Sequence, residues 1–408
     1  MNIPFSLPVI NDDVIDEMMD CLKNTGWLTT GPKTKQLEIE IKKFTDCDEV
    51  LCVNSWTSGA MLMLRWFGVG YGDEVIIPAY TYSATALCVM NMGATPIMVD
   101  VGDDFNINIE NVKKAITEKT KVVIPVDIGG WPCEYDELLA LVNQNEIKSL
   151  FRPKSKAQHD LGRILVLSDA AHSIGAKYKG ANIGEVSDVT IFSLHSVKNI
   201  TTGEGGAICI NLPKPLNNQE VLKNLRFLSL NGQNKSAFEK SKVGGWRYDI
   251  VDQGLKVNMP DICAAVGLAQ IKQYKNSLLP ERKSIFKFYN DYFSKFEWAI
   301  LPFSKNQNKE SSYHLYMLRI MDIKEHQRDK MIEYLSSNGV AVNVHYIPMS
   351  MLTLFKQRGY DINNFPKTYD LYANEISLPL YNNLTDFQLK KIVKTVAGAY
   401  KNIVEKEL

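Results

Sequence analysis

Between residues 50 and 210, short apolar runs alternate with stretches of helical period, and this alternation constrains the fold more than any other feature of the chain. Runs at 50–53, 74–77, 96–101, 121–126, 164–167, 189–192 and 206–210 read as strands, with helical patterns such as 60–67 and 83–92 between them. Strands separated by helices imply a mostly parallel sheet covered on both faces, and so an α/β fold. Ligands of such sheets bind beyond the carboxyl ends of the strands, which makes the residues after each run the first place to look for chemistry.

A chain of 408 residues is too long for one compact core. The pattern changes near residue 261, so a large domain of residues 1–260 and a smaller C-terminal α+β domain of residues 261–408 are expected. The second opens with a long helix over 262–296 that Pro280 breaks or kinks. Strands at 316–320 and 340–344 and helices at 328–337 and 386–400 follow. Ahead of the sheet, 12–24 is an amphipathic helix stopped by Gly26, and a second helix runs over 35–45. The polar residues 143–163 read as a surface insertion.

Lys plus Arg equals Asp plus Glu at 46 each, so no overall field draws the protein to nucleic acid or to an anionic membrane. Any phosphate must be held locally. Seven cysteines without a CxxC pair fit neither a disulfide framework nor a zinc site and point to a reducing, cytoplasmic setting. The N-terminus shows no leader pattern and no apolar run is long enough to span a bilayer, so neither secretion nor membrane anchoring is expected.

Four segments following strands carry candidate chemistry. Lys198 lies in Ser193-Leu194-His195-Ser196-Val197-Lys198, ahead of the glycine-rich Thr201–Gly206 turn. Burial would favour a neutral amine there, able to attack a carbonyl, whereas the ordinary fate of a lysine is a solvated surface position. Asp169, followed by Ala170, Ala171 and His172, would need a cationic partner if buried, and a protonated pyridine nitrogen is one such partner. A helix-capping Asp fits the same pattern. The turn Asn54-Ser55-Trp56-Thr57-Ser58-Gly59-Ala60 places backbone N–H groups at a helix start, which suits a phosphate or simply caps the helix. Tyr82 offers a ring for stacking on a planar heterocycle, or is a core aromatic.

Taken together these segments resemble the DegT/DnrJ/StrS family of sugar aminotransferases. The likeness runs from Thr25-Gly26-Trp27-Leu28-Thr29-Thr30-Gly31-Pro32 through Gly72–Pro78, Asp169–His172 and Ser193–Gly206. It ends at His345-Tyr346-Ile347-Pro348 and Leu378-Pro379-Leu380. The resemblance implies the aspartate aminotransferase-like (type I) fold and pyridoxal 5'-phosphate as cofactor. By it Lys198 holds the cofactor covalently, Asp169 pairs with its ring nitrogen, His172 lies against one ring face and Tyr82 covers the ring region. Ser193 and the Trp56-Thr57 turn would hold the phosphate. A homodimer with shared active sites is implied, Lys256 standing where the family often has the Asn that reaches the partner's phosphate.

Three departures stand out: Trp56 where the family often has Gly, Lys256 in Gly254-Leu255-Lys256-Val257-Asn258, and Ser350 where many members have His. The implied reaction moves an amine from L-glutamate, with Lys198 as the proton shuttle and His195 as a positioning or merely packed histidine. The acceptor is a nucleotide-linked keto sugar, aminated at C4 of a UDP-4-keto-6-deoxy (2-acetamido) sugar for surface polysaccharide. Trp27, Trp246, Arg247 and Tyr346 are the candidate substrate contacts. A related sugar dehydratase, which lacks this lysine, and a non-catalytic sugar-nucleotide-binding regulator are the competing readings.

Overall fold

The computed structural model describes residues 2–235, 240–241 and 243–405. Its centre is a seven-stranded sheet in the order Glu49–Val53, Gly206–Ile210, Val189–Ser193, Leu165–Asp169, Thr120–Val123, Glu74–Pro78, Thr95–Val99. Gly206–Ile210 runs antiparallel to both of its neighbours, and the other strand pairs are parallel. Leu165–Asp169, Val189–Ser193 and Gly206–Ile210 are buried at every residue, as strands covered on both faces must be. That explains why they read as unbroken apolar runs.

The helix Trp56–Phe67 packs on this sheet through Gly59, where a Cβ would meet Ile208, Val53 and Ile191 side chains at 3.2–3.3 Å. The close approach brings the helix start down to the carboxyl ends of the strands. At the other end of the same helix, Gln158 Nε2 donates to Phe67 O at 2.9 Å and Ser155 Oγ donates to the same oxygen at 2.7 Å. Both residues belong to the polar stretch 143–163, which is therefore more than a surface insertion. It forms the helices Asn145–Leu150 and Lys156–Leu161, buries Gln158, and satisfies carbonyls that a helix C-terminus leaves open.

The expected long helix over 262–296 is two helices, Asp261–Gln273 and Leu279–Phe293, joined through a π-turn at Tyr274–Leu278. Pro280 occupies the first turn of the second helix, where its missing N–H costs nothing. The first helix packs on the large core through Ala264, Leu268 and Ile271, while Ile285, Phe286 and Tyr289 of the second belong to a separate core. Around that second core a three-stranded sheet orders Ala299–Ile300, Tyr316–Ile320 and Glu375–Leu378. The expected strand at 340–344 is not formed; Val340 and Asn343 make isolated bridges to Ile3 and Ser377. A third cluster, including Tyr80, Val126, Leu315 and Leu371, joins the two cores.

Candidate active site

At the carboxyl ends of the parallel strands lies a cavity of about 500 Å³, a size that takes a small organic ligand. Ser55, Trp56, Thr57, Tyr82, Asp169, His172, Ser193, Lys198 and Tyr346 all line it. Seven predicted cofactor residues, distant in sequence, are thus brought to one wall by strand order alone.

Lys198 is presented by the turn after Val189–Ser193. Leu194 N donates to Gly205 O at 2.9 Å, Thr202 N to Leu194 O at 2.8 Å and Lys198 N to His195 O at 2.9 Å, so the loop closes on itself. Gly203, at φ 78°, takes the left-handed conformation this closure needs. Burial lowers Lys198 to about 8, against an opposing pull from the Asp169 charge. The amine is therefore neutral in roughly a tenth of molecules at pH 7, far more often than a solvated lysine, and the neutral form is the one that attacks a carbonyl.

Asp169 ends its strand fully inside the protein. Thr85 Oγ1 donates to Oδ2 at 2.9 Å and Ala171 N to Oδ1 at 3.2 Å, which settles the carboxylate's direction, yet no ion pair to it is found among the described residues. Burial raises it to about 7. A buried carboxylate with hydrogen bonds but no ion pair is a fitting partner for a cation delivered by a ligand. Ser55 caps the helix Trp56–Phe67 by accepting from Ser58 N at 3.0 Å, leaving the backbone N–H groups of Trp56 and Thr57 at the helix's positive end beside Ser193. Trp56 is buried among core residues, and its indole Nε1 has no hydrogen-bond partner among the described residues. These residues fit pyridoxal phosphate: an amine, an uncompensated carboxylate and an anion-ready helix start share one cavity.

Two buried histidines have their protons placed by fixed neighbours. Gly129 N donates to His172 Nδ1 at 3.2 Å, so the neutral ring carries its proton on Nε2 and gives it to Tyr346 Oη at 2.9 Å. Asn199 Nδ2 donates to Ser312 O and Tyr274 Oη, so Asn199 Oδ1 accepts from His314 Nδ1 at 2.8 Å. Burial holds both histidines well below their usual range, with Lys198 adding to it. His314 and His345, both cavity-lining, were not among the sequence candidates. His345 stands in the His-Tyr-x-Pro motif, which was the available signal; His314 had none.

Four candidates lie elsewhere. Trp27 donates its indole N–H to Thr30 O at 3.1 Å, and Lys256 is exposed with its amine on Asn258 Oδ1 at 2.5 Å. Trp246 is 70% exposed, with Arg247 over its ring at 5.0 Å. None of the four lines the cavity of its own chain. Residues 254–258 nonetheless pass close by, since Asn54 N donates to Val257 O at 2.8 Å. His195 is half exposed, 3.6 Å from Glu204.

The chain matches the model of the DegT/DnrJ/EryC1/StrS aminotransferase family over residues 8–151 and 154–397. The spore coat polysaccharide biosynthesis protein SpsC of Bacillus subtilis is 35% identical over 405 residues, 98% of this chain and 97% of that protein. A Streptococcus pneumoniae protein assigned as a sugar aminotransferase, solved with pyridoxal phosphate, superimposes with a TM-score of 0.94 at 40% identity, over 99% of this chain and 100% of that one. Its pyridoxamine phosphate form gives the same TM-score at 41% identity, again over 99% and 100% of the two chains. Fold, cavity and relatives agree that this is a pyridoxal phosphate-dependent enzyme, and the chain belongs to the DegT/DnrJ/EryC1/StrS aminotransferase family.

Proposed function

We propose that this enzyme moves an amino group from L-glutamate to a nucleotide-linked keto sugar, at C4 of a UDP-linked 4-keto-6-deoxy 2-acetamido sugar. The observation that carries the reading is the presence of Lys198 and a buried Asp169, which makes no ion pair among the described residues, in one cavity. Similarity to SpsC, named for spore coat polysaccharide biosynthesis, supports a product destined for surface polysaccharide. The Lys256-Val257-Asn258 variant supports the C4 assignment through its family resemblance.

Bound pyridoxal phosphate supplies the electron sink that stabilises charge on the carbon beside the transferred nitrogen. Lys198 holds the cofactor between turnovers and, once displaced by the donor amine, takes the proton from the donor carbon and later returns one to the sugar carbon. Asp169 keeps a proton on the ring nitrogen by offering it the counter-charge that the protein interior lacks. Ser193 and the backbone of Trp56 and Thr57 would hold the phosphate, His172 and Tyr82 would bound the ring, and Tyr346 would face the substrate. Trp27, Trp246, Arg247 and Lys256 act across a homodimer interface, which their placement outside their own cavity supports. No helix among the described residues is long and apolar enough to cross a membrane. The seven free cysteines support the proposed cytoplasmic setting.

The test is to load the enzyme with pyridoxal phosphate, add L-glutamate and then offer UDP-, dTDP- and GDP-linked keto sugars. Visible absorbance should fall with the donor and return with a UDP-linked 4-keto sugar, with the aminated product identified by mass and NMR. Absorbance that never responds to an amino donor refutes the transfer. Lys198→Ala should abolish turnover, a loss of at least about 100-fold for a missing acid–base group.

A further inference from the structure

Glu375 lies on the small-domain strand Glu375–Leu378, fully buried and outside the cavity lining, yet it is one residue removed from that lining through hydrogen bonds. Its Oε2 accepts from the backbone N–H of His345 at 3.1 Å, and its Oε1 accepts from Ser377 Oγ at 2.5 Å. Ser377 Oγ lies 2.9 Å from His345 Nδ1. The His345 ring stacks on Phe5 at 5.3 Å and lines the cavity. With Nδ1 turned onto Ser377, the Nε2 edge is the one left for the cavity, and no partner for Nε2 is found among the described residues.

We propose that Glu375 is a positioning residue that, through Ser377, sets which nitrogen of His345 carries the proton, and so whether this ring offers a bound substrate a lone pair or an N–H. Each hydroxyl in the chain has one proton to give, so the direction of donation is fixed from one end. When Glu375 is ionised it can only accept. Ser377 then donates to Oε1, His345 donates Nδ1–H to Ser377 Oγ, and Nε2 presents a lone pair. When Glu375 is protonated on Oε1 it donates to Ser377 Oγ and Ser377 donates to Nδ1; the Nδ1 proton has been relayed through Ser377 to Glu375 while Nε2 has taken one from solvent, a net uptake of one proton. The ring, still neutral, then carries its single proton on Nε2.

Burial pushes Glu375 up to about 8, despite the Ser377 and His345 hydrogen bonds and the Arg328 charge. The groups facing it are Arg328 from the helix Glu325–Ser337, the hydroxyls of Tyr80 and Tyr346, and His345 itself. Burial, with the Lys198 charge behind it, lowers His345 to about 3, so the ring stays neutral while Glu375 titrates. The inference rests on the aminotransferase reading only for what Nε2 would meet. There the lone pair would accept from a hydroxyl of the sugar substrate, and the N–H would not.

The experiment is nitrogen NMR of substrate-free, cofactor-loaded enzyme labelled at its six histidines, with His345 assigned by its loss in His345→Phe. In the wild type the His345 signals should pass from the Nε2-protonated form to the Nδ1-protonated form as pH rises through about 8. In Glu375→Gln the amide oxygen must stay on the His345 N–H, since the alternative sets donor against donor, so the amide N–H₂ faces Ser377. The ring should then be Nε2-protonated at every pH, and the KM for the keto sugar should rise about five-fold with a smaller change in kcat, the scale of one lost hydrogen bond. A single tautomer across pH in the wild type, or an unchanged crossover in Glu375→Gln, overturns the proposal. Ser377→Ala decides the matter if Glu375→Gln does not fold: it cuts the link and should remove the crossover, and a crossover that persists refutes the role. The tautomer is read without substrate, so a failure of the aminotransferase reading would show separately, as absorbance indifferent to amino donors.

Discussion

The amine of Lys198 is the smallest unit on which the proposed chemistry turns, and its state follows from burial. A lysine lowered from the usual value to about 8 loses its proton as pH rises through about 8, some two units before a solvated lysine would. The rate at which cofactor-free enzyme captures pyridoxal phosphate should therefore climb with pH and level off above about 8. Stopped-flow absorbance across that range checks it, and a rate still climbing toward the ordinary lysine value would show that the amine is not desolvated. Asp169→Asn, which keeps the Thr85 hydrogen bond but removes the counter-charge, should cut turnover by about 100-fold or more while leaving cofactor capture in place, a split read by comparing absorbance with product formation. That Lys198, Asp169, Ser193 and the Trp56-Thr57 turn come together was legible in the sequence because each lies at the end of a strand or within a few residues after one, where position along the chain reports position in space. His314 reaches the cavity, and Glu375 the back of His345, from the C-terminal third of the chain, and no spacing in the sequence records that approach.

At the scale of elements, the helix Trp56–Phe67 shows how a site is anchored from its far end. Its start faces the cavity, and its last carbonyls are taken by Ser155 and Gln158 of the polar stretch that follows. That stretch is tied to the sheet by Arg163, whose guanidinium forms a two-pronged pair with Asp188 at 2.7 and 2.8 Å, while Val166 N also donates to Asp188 at 2.9 Å. Both side chains are buried, so Asp188→Ala would strand a buried cation and should cost about 3–5 kcal/mol, seen as a large drop in melting temperature. Asp160→Ala, which removes an exposed partner of Lys156, should cost less than about 1 kcal/mol by the same measurement. Equal losses in the two variants would mean the buried pair anchors nothing. The strands of the main sheet were readable because two covered faces demand continuous apolar runs. Residues 340–344 carry the same apolar signature, yet they have only single bridging partners, at Ile3 and Ser377, and an apolar run without a neighbour to pair with stays irregular.

For the whole molecule, the exposed side chains around residues 243–256 carry the argument. Trp246, Tyr248, Ile250 and Val251 are each more than half exposed, and Lys256 projects from a segment held against the turn at Asn54 without lining its own cavity. An apolar and cationic surface of this kind is what a two-fold interface would cover, each subunit lending Lys256 to the other's phosphate. In the proposed dimer, Lys198→Ala would destroy the site of the subunit that carries it, whereas Lys256→Ala would damage the site of its partner. Refolded from an equal mixture of the two variants, half of the dimers should be hybrids, and each hybrid holds one site with both lysines intact. Activity should thus return to about a quarter of the wild-type value from two preparations with little of their own. Size-exclusion chromatography with light scattering supplies the companion measurement, since a monomer could not show the effect. A mixture no more active than its components would place Lys256 in the site of its own chain or outside the chemistry altogether.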